Sequence, residues 1–395
     1  MEEFKTYTLE ELSLNKGTYG IAASAVPYDD SKLTYLRITD INDDGTLNTQ
    51  SLMSVDEPNA SDYLLKKNDI VFARTGNSTG RTYFYQGNEC PLVYAGFLIK
   101  FSIDEKKVNP LLLKYYTHSR IYYDWVKSFD TGGTRGNINA KTYGNMPIRI
   151  PASRKTQDKI VDILSSLDEK IALNRRINDN LEQQAQALFD YYFSADSKYL
   201  SDSERGVLTN IAVYLNGLAM QKFPPTDSEH SLPVLKIKEL GQGKCDNNSD
   251  RCSNDIDSNY VIDNGNIIFS WSGTLMVDVW CGGKCGLNQH LFKVTPLKDY
   301  PQWFIYYWTI RHLNTFKLIA KDKAVTMGHI KRGDLEKAEV IIPNRYSLVE
   351  MNAQIEPLYQ SIINNRLQIA ELETLRDALL PRLMSGELKI NDLNC

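Results

Sequence analysis

Long apolar runs are missing from this sequence. Nowhere in its 395 residues do about 20 apolar side chains follow one another, so a membrane-spanning helix is excluded on length. Cysteine is scarce. Six in the whole chain are too few for a disulfide framework and suit a reducing compartment, so the expected location is the cytoplasm. The opening residues Met1-Glu2-Glu3-Phe4-Lys5 do not place a basic segment before an apolar one, so no secretory signal is expected. Positive charge is not in excess either. Lys and Arg number 45 against 49 Asp and Glu, a net charge of −4, which taken alone argues against a nucleic-acid surface.

Catalytic signatures are absent too. There is no Gly-x-x-x-x-Gly-Lys-Ser/Thr, and Gly282-Gly283-Lys284 lacks both the spaced glycine before it and the hydroxyl after it. No Gly-x-Ser-x-Gly occurs, nor an Asn/Asp-Pro-Pro-aromatic run of the kind used on a flipped base. The five histidines are scattered at 118, 230, 290, 312 and 329. No catalytic residues are assigned, and the chain is expected not to be an enzyme by itself. Cys245, Cys252, Cys281 and Cys285 fall within one stretch, but their spacing is not that of paired zinc knuckles. They are read as free thiols, with no metal site assigned.

What is present is a repeat. Leu36-Arg37-Ile38 matches Leu235-Lys236-Ile237 at an offset of 199, and Ile70 of Asn68–Ala73 matches Ile267 of Gly265–Ser270 at 197. Gly136-Asn137-Ile138 matches Gly328-His329-Ile330, and Arg149-Ile150-Pro151 matches Ile341-Ile342-Pro343, both at 192. Asn174-Arg175, Leu181 and Ala187-Leu188 match Asn365-Arg366, Leu372 and Ala378-Leu379 at 191. The offset drifts in one direction and by only eight residues. The chain is a tandem duplication.

Within each copy, about 150 residues carry short β-type runs punctuated by Gly, Asn and Asp, with one helical stretch, Pro110–Lys127 and its counterpart Pro301–Leu318. The last 40 or so residues change period. Ile160, Leu164, Leu167, Ile171, Asn174, Asn178, Leu181, Ala185, Leu188 and Tyr192 step by four and three. Met351, Ile355, Leu358, Ile362, Asn365, Ile369, Leu372, Arg376, Leu379 and Leu383 occupy the matching places. Such heptads predict two coiled-coil helices. Ser347 with Glu350 resembles a capping box at the start of the second, and Gly386 suits its end. Asn174 and Asn365 share one seam position, where a buried amide needs its partner and so fixes helix-pairing register.

The expected fold class is therefore α+β: two mixed α/β globules in tandem, separated by two long helices that pair as an antiparallel coiled coil about a pseudo-twofold. The expected divisions are 1–151 and 197–343 for the globules, 152–196 for the first helix, and 344–395 for the second helix and tail. Two readers held about one DNA turn apart are how dimeric proteins read split sites. A scaffold that binds only protein is the other reading of such a plan.

The chain resembles the specificity subunits of type I restriction–modification systems. The likeness rests on Ile150-Pro151, Gln157, Ile160-Val161, Ile163-Leu164, Leu167-Asp168, Lys170-Ile171, Asn174, Ile177-Asn178, Leu181, Gln184-Ala185, Ala187-Leu188-Phe189 and Tyr192-Phe193. Leu379–Leu388, Asp69-Ile70 before Arg74-Thr75-Gly76, and Gly133–Ile138 extend it. The second copy departs from the pattern, with Trp271-Ser272-Gly273 where the first has Arg-Thr-Gly and no glutamine matching Gln157.

The resemblance implies two target recognition domains, each reading half of a bipartite site on double-stranded DNA. It implies helices that measure the gap and dock two methyltransferase subunits, with restriction (motor–nuclease) subunits joining them. S-adenosylmethionine, ATP and magnesium would then belong to the partners, and this chain would hold no cofactor. A subunit clamped between partners need not supply all the positive surface. The candidate DNA-contacting residues are Arg74, Thr75, Ser78, Arg81, Thr134, Arg135, Asn137 and Lys141 in the first copy. In the second they are Trp271, Ser272, Thr274, Lys323, Thr326, His329 and Lys331. The run Gly76–Gly80 reads either as a loop for close backbone approach or as a plain hairpin turn.

Overall fold

The computed structural model describes residues 3–87, 90–129, 136–227, 229–322 and 328–388. The chain forms two compact units, residues 1–169 with 373–395 and residues 170–372.

The first unit contains strands β1 (Phe4–Thr8), β2 (Thr18–Tyr19), β3 (Ala25–Val26), β4 (Leu33–Leu36), β5 (Met53–Val55), β6 (Asp69–Ala73), β7 (Thr82–Tyr85), β8 (Leu92–Tyr94) and β9 (Leu98–Ser102). Helices α1 (Pro110–Tyr116), α2 (Arg120–Lys127) and α3 (Ala140–Gly144), strand β10 (Pro147–Pro151) and the long helix α4 (Arg154–Tyr192) follow. Two four-stranded sheets have the orders β2-β9-β6-β7 and β3-β5-β4-β8, and β1 pairs antiparallel with β10.

Strand β6 shows why the sequence folds this way. Its alternating side chains point to opposite faces, so Ile70 and Phe72 enter one core while Val71 and Ala73 enter another. All five of its residues are buried, and a run of β-branched and apolar residues is what such a position demands.

The second unit repeats the plan with β11 (Glu204–Val207), α5 (Leu208–Ile211), β12 (Ala212–Asn216), β13 (Ser231–Leu235), α6 (Ile237–Gln242), β14 (Arg251–Ser253), β15 (Val261–Ile262), β16 (Ile267–Ser270), β17 (Met276–Val279), β18 (Cys285–Leu287) and β19 (Leu291–Pro296). Then come α7 (Gln302–Asp322), α8 (Arg332–Leu335), β20 (Glu339–Ile342) and the second long helix α9 (Arg345–Ser385). Its sheets run β12-β19-β16-β17 and β14-β13-β18-β15, and β11 pairs with β20. Strand β4 pairs parallel with β8, as β13 does with β18, so even the exceptional pairing is duplicated.

The expected helix over 110–127 is broken where its counterpart α7 is not. Thr117 Oγ1 donates to the Lys114 carbonyl and accepts from Thr82, and the Ser119 hydroxyl then caps α2 by accepting from the Tyr122 amide. In α7 the matching Thr309 donates back to the Ile305 carbonyl and the helix runs on, with Arg311 where the first unit has the capping Ser119.

The long helices pack against each other within each unit, and the heptad residues lie buried or half-buried there. In the first unit Ile160, Val161 and Leu164 of α4 share a core with Leu380, Leu383 and Met384 of α9. Ala185 and Phe189 share one with Met351, Ile355 and Tyr359 in the second. Rising numbers on α4 meet falling numbers on α9, so the pairing is antiparallel. The seam asparagines do not meet each other. Asn174, 1% exposed, donates to Gln368 Oε1 at 2.7 Å, whereas Asn365 donates to Asn178 Oδ1 at 3.0 Å. Asn178 in turn donates to the Ile362 carbonyl at 3.2 Å.

The cap of α9 is not the expected one. The helix starts at Arg345, and the Ser347 amide donates to Asn344 Oδ1 at 3.0 Å, which makes Asn344 the cap and puts Ser347 inside the first turn. Its far end is closed by Gly386 in the left-handed region, φ +78°.

Candidate nucleic-acid interface

Strand β6 delivers Arg74 to the surface. The chain turns sharply just beyond it, at Gly76, whose φ of +70° favours glycine. The Arg74 amide donates to the Phe97 carbonyl at 3.1 Å, and its own carbonyl accepts from the Ile138 amide at 3.0 Å. With both backbone groups satisfied, the residue is locked between two neighbouring segments and only its side chain is presented. The guanidinium carbon sits 5.0 Å from the ring centre of Tyr19, and Nε donates to Asn137 Oδ1 at 3.2 Å. Tyr19 is held in turn, its hydroxyl accepting from the Ala140 amide at 3.1 Å. Phe97 stands 59% exposed beside this group.

The second unit builds the same frame from other side chains. The Trp271 amide donates to the His290 carbonyl at 3.4 Å, and the Ile330 amide donates to the Trp271 carbonyl at 3.1 Å. Gly273 takes φ +66°, as Gly76 does in the first unit. The indole Nε1 donates to Asn216 Oδ1 at 3.0 Å. The ring centres of Phe292, His290 and His329 lie 5.7, 6.1 and 6.2 Å from that of Trp271. Asn216, Trp271, Phe292, His329, Ile330, Lys331 and Arg332 line a cavity of about 340 Å³.

The other candidates divide. Lys141 and Lys331 are exposed at the starts of α3 and α8, next to the two frames, and Thr274 is exposed beyond Gly273. Thr75 is half-buried. Ser78 and Ser272 are buried and face inward. Arg81 is spent on structure, its Nε donating to Asp43 at 2.7 Å and its Nη1 to the Ile41 carbonyl at 3.0 Å. Thr134, Arg135, Lys323 and Thr326 lie outside the described residues.

Tyr19, Phe97, Asn216, His290 and Phe292 were not singled out from sequence, although each touches a frame residue. The one signal was the shared dipeptide pattern of Tyr19-Gly20 and Asn216-Gly217. Those glycines allow the close approach, because a Cβ on either would sit 2.2 Å from a carbonyl oxygen of the facing turn.

Ion networks tie each unit to its helices. Arg366 of α9 pairs with Glu182 of α4 at 2.7 Å and with Asp278 of β17 at 2.6 Å. Burial opposes the charge, but the two carboxylates outweigh it and hold the guanidinium more firmly protonated. In the first unit Asp168 of α4 meets Lys114 at 2.9 Å and Arg376 at 3.1 Å. Burial raises the pKa of Asp168, yet the two cations outweigh it and the net shift is downward. Among the described residues no three His, Cys, Asp or Glu side chains gather as metal ligands.

One globular plan built twice, each copy packed on paired long helices and each presenting the same turn with unlike side chains, defines a duplicated recognition module. A family model described as type I restriction modification DNA specificity domain matches residues 1–183 and again 202–374. The chain belongs to that family and is a specificity subunit of a type I restriction–modification system.

It is similar to the type I restriction enzyme MjaIX specificity subunit of Methanocaldococcus jannaschii, with 25% identity over 302 residues, 71% of this chain and 69% of that protein. It is also similar to the HindI specificity subunit of Haemophilus influenzae, with 22% identity over an alignment of 469 residues, 98% of this chain and all of that one. Its fold matches the crystal structure of the S subunit of a type I restriction–modification system from M. genitalium, with a TM-score of 0.60 at 14% identity over 97% and 96% of the two chains.

Proposed function

We propose that each unit reads one half of a split site on double-stranded DNA, that α4 and α9 set the gap between the halves, and that the helices dock two methyltransferase subunits. Restriction subunits join that complex in the cytoplasm. The partners carry S-adenosylmethionine, ATP and magnesium, and this chain supplies address rather than chemistry. Among its described residues no helix is long and apolar enough to cross a membrane.

The observation that carries this reading is the duplicated exposed turn. Backbone groups in each unit hold Arg74 or Trp271 in place, which leaves the side chain to meet a base edge. The neighbouring Asn137, Lys141, His329 and Lys331 complete the two surfaces, with the lysines placed for phosphate.

The test is a methylome. The chain is co-expressed with the methyltransferase subunit of its own system in a host lacking adenine modification, and modified bases are mapped by sequencing. A split motif of fixed gap that disappears when this chain is omitted is the expected result. A stable complex that modifies no defined sequence would overturn the reading in favour of a protein-only scaffold.

A further inference from the structure

Position 74 in the first unit and position 271 in the second are the same place in the repeat. Both follow the matching strands β6 and β16, and both precede a left-handed glycine. Each donates its amide to the turn before β9 or β19 and accepts an amide from the segment entering α3 or α8. The side chains on this common frame differ in kind. We infer that these two positions set the specificity of the two half-sites, Arg74 reading a guanine and the Trp271 cavity taking the methyl group of a thymine. This assignment rests on the half-site reading proposed above.

The arginine is prepared for a planar, two-acceptor partner. Tyr19 supports the guanidinium from one side and Asn137 fixes Nε, so the head is oriented before any ligand arrives and loses little freedom on binding. Its two Nη groups remain, and among the described residues no carboxylate pairs with it. Two parallel donors match the O6 and N7 acceptors that guanine alone displays together in the major groove.

The tryptophan is prepared for the opposite. Its only donor is consumed by Asn216, so the indole offers apolar surface and nothing else. Phe292 and Ile330 continue that surface into the cavity, and the thymine C5 methyl is the one apolar group that a base edge presents in the major groove. Lys331 and Arg332 at the rim suit the flanking phosphates, which position without specifying.

The same methylome reads the outcome, with the Arg74→Lys, Asn137→Ala, Trp271→Ala and Trp271→Phe variants beside the wild type. Arg74→Lys keeps the charge but loses the fork. It is expected to relax a single G·C position in one half of the motif, with preference falling about tenfold or more, while the other half stays intact. Asn137→Ala is expected to weaken the same position less. Trp271→Ala is expected to relax one A·T position in the other half only, and Trp271→Phe, which keeps an apolar ring, to retain it.

A motif unchanged by Arg74→Lys and Trp271→Ala, a change in both halves from either one, or relaxation at a base other than those named would overturn the assignment while leaving half-site reading standing. A wild-type chain that directs no motif at all would overturn both.

Discussion

Asp168 is the best example of how single side chains fit the globule to its helix. Its carboxylate on α4 takes Lys114 and the Tyr115 hydroxyl from the sheet-packing layer and Arg376 from α9. In the second unit the matching pair Tyr306 and Tyr359 meets ring to ring, with centres 5.7 Å apart, so the copies solve one packing problem by charge and by aromatic contact. Because the folded pKa of Asp168 is lowered, its contribution is fully present above the unfolded value of about 4 and is lost as pH falls through the folded value. Asp168→Asn is therefore expected to cost about 1–3 kcal/mol at neutral pH, since it leaves two part-buried cations underpaired. Hydrogen exchange of the Leu111–Tyr116 amides measures this locally. The gap between variant and wild type should narrow as pH falls below the unfolded value and through the lower folded one, and a constant gap would show that charge is not its source. Contacts of this kind were not legible in the sequence. Asp168 and Arg376 are over 200 residues apart, and Tyr19 on β2 meets Arg74 beyond β6 although β3, β4 and β5 of the other sheet intervene in the chain. Only the closed fold makes such pairs neighbours.

At the scale of elements, periodicity showed what burial enforces. A stripe recurring every three or four residues has one structural use, and the heptad positions of α4 and α9 do lie inward. Caps and breaks were harder to read, because they depend on which hydroxyl or amide wins a local competition for backbone. Asn344 outcompetes Ser347 at the start of α9, and Thr117 with Ser119 breaks a helix that apolar spacing alone would continue. Asn344→Ala is expected to lower stability by about 0.5–2 kcal/mol, and Ser347→Ala to change it little. Denaturant unfolding of the two variants compares them, and the reverse order would restore Ser347 as the cap. The chain of amides runs from Asn365 through Asn178 to the Ile362 carbonyl, and an aliphatic substitute at either asparagine is expected to loosen the register of the seam.

For the whole molecule, the repeat was the most legible feature, because a duplication preserves order even where identities have gone. The drift of its offset, from 199 at Leu36 to 191 in the helices, falls mainly in the connections between strands. A helix of 39 residues is about 58 Å long, and one heptad of it about 10 Å, or roughly three base pairs. Deleting matched heptads from α4 and α9 is thus expected to shorten the spacer of the modified motif by about three base pairs without altering either half. An unchanged gap with assembly intact would remove the helices from that role. The pairing of β1 with β10, and of β11 with β20, has its own consequence. Phe4 lies opposite Pro151 and Glu204 opposite Ile342, so the chain enters and leaves each globule through adjacent, hydrogen-bonded doorways. A different globule inserted between the same doorways is expected to leave the helices as they are, because the paired strands fix the spacing of its entry and exit. With each globule reading its half-site as proposed, one such exchange is expected to give the chain a new address while the helices that carry it stay unchanged.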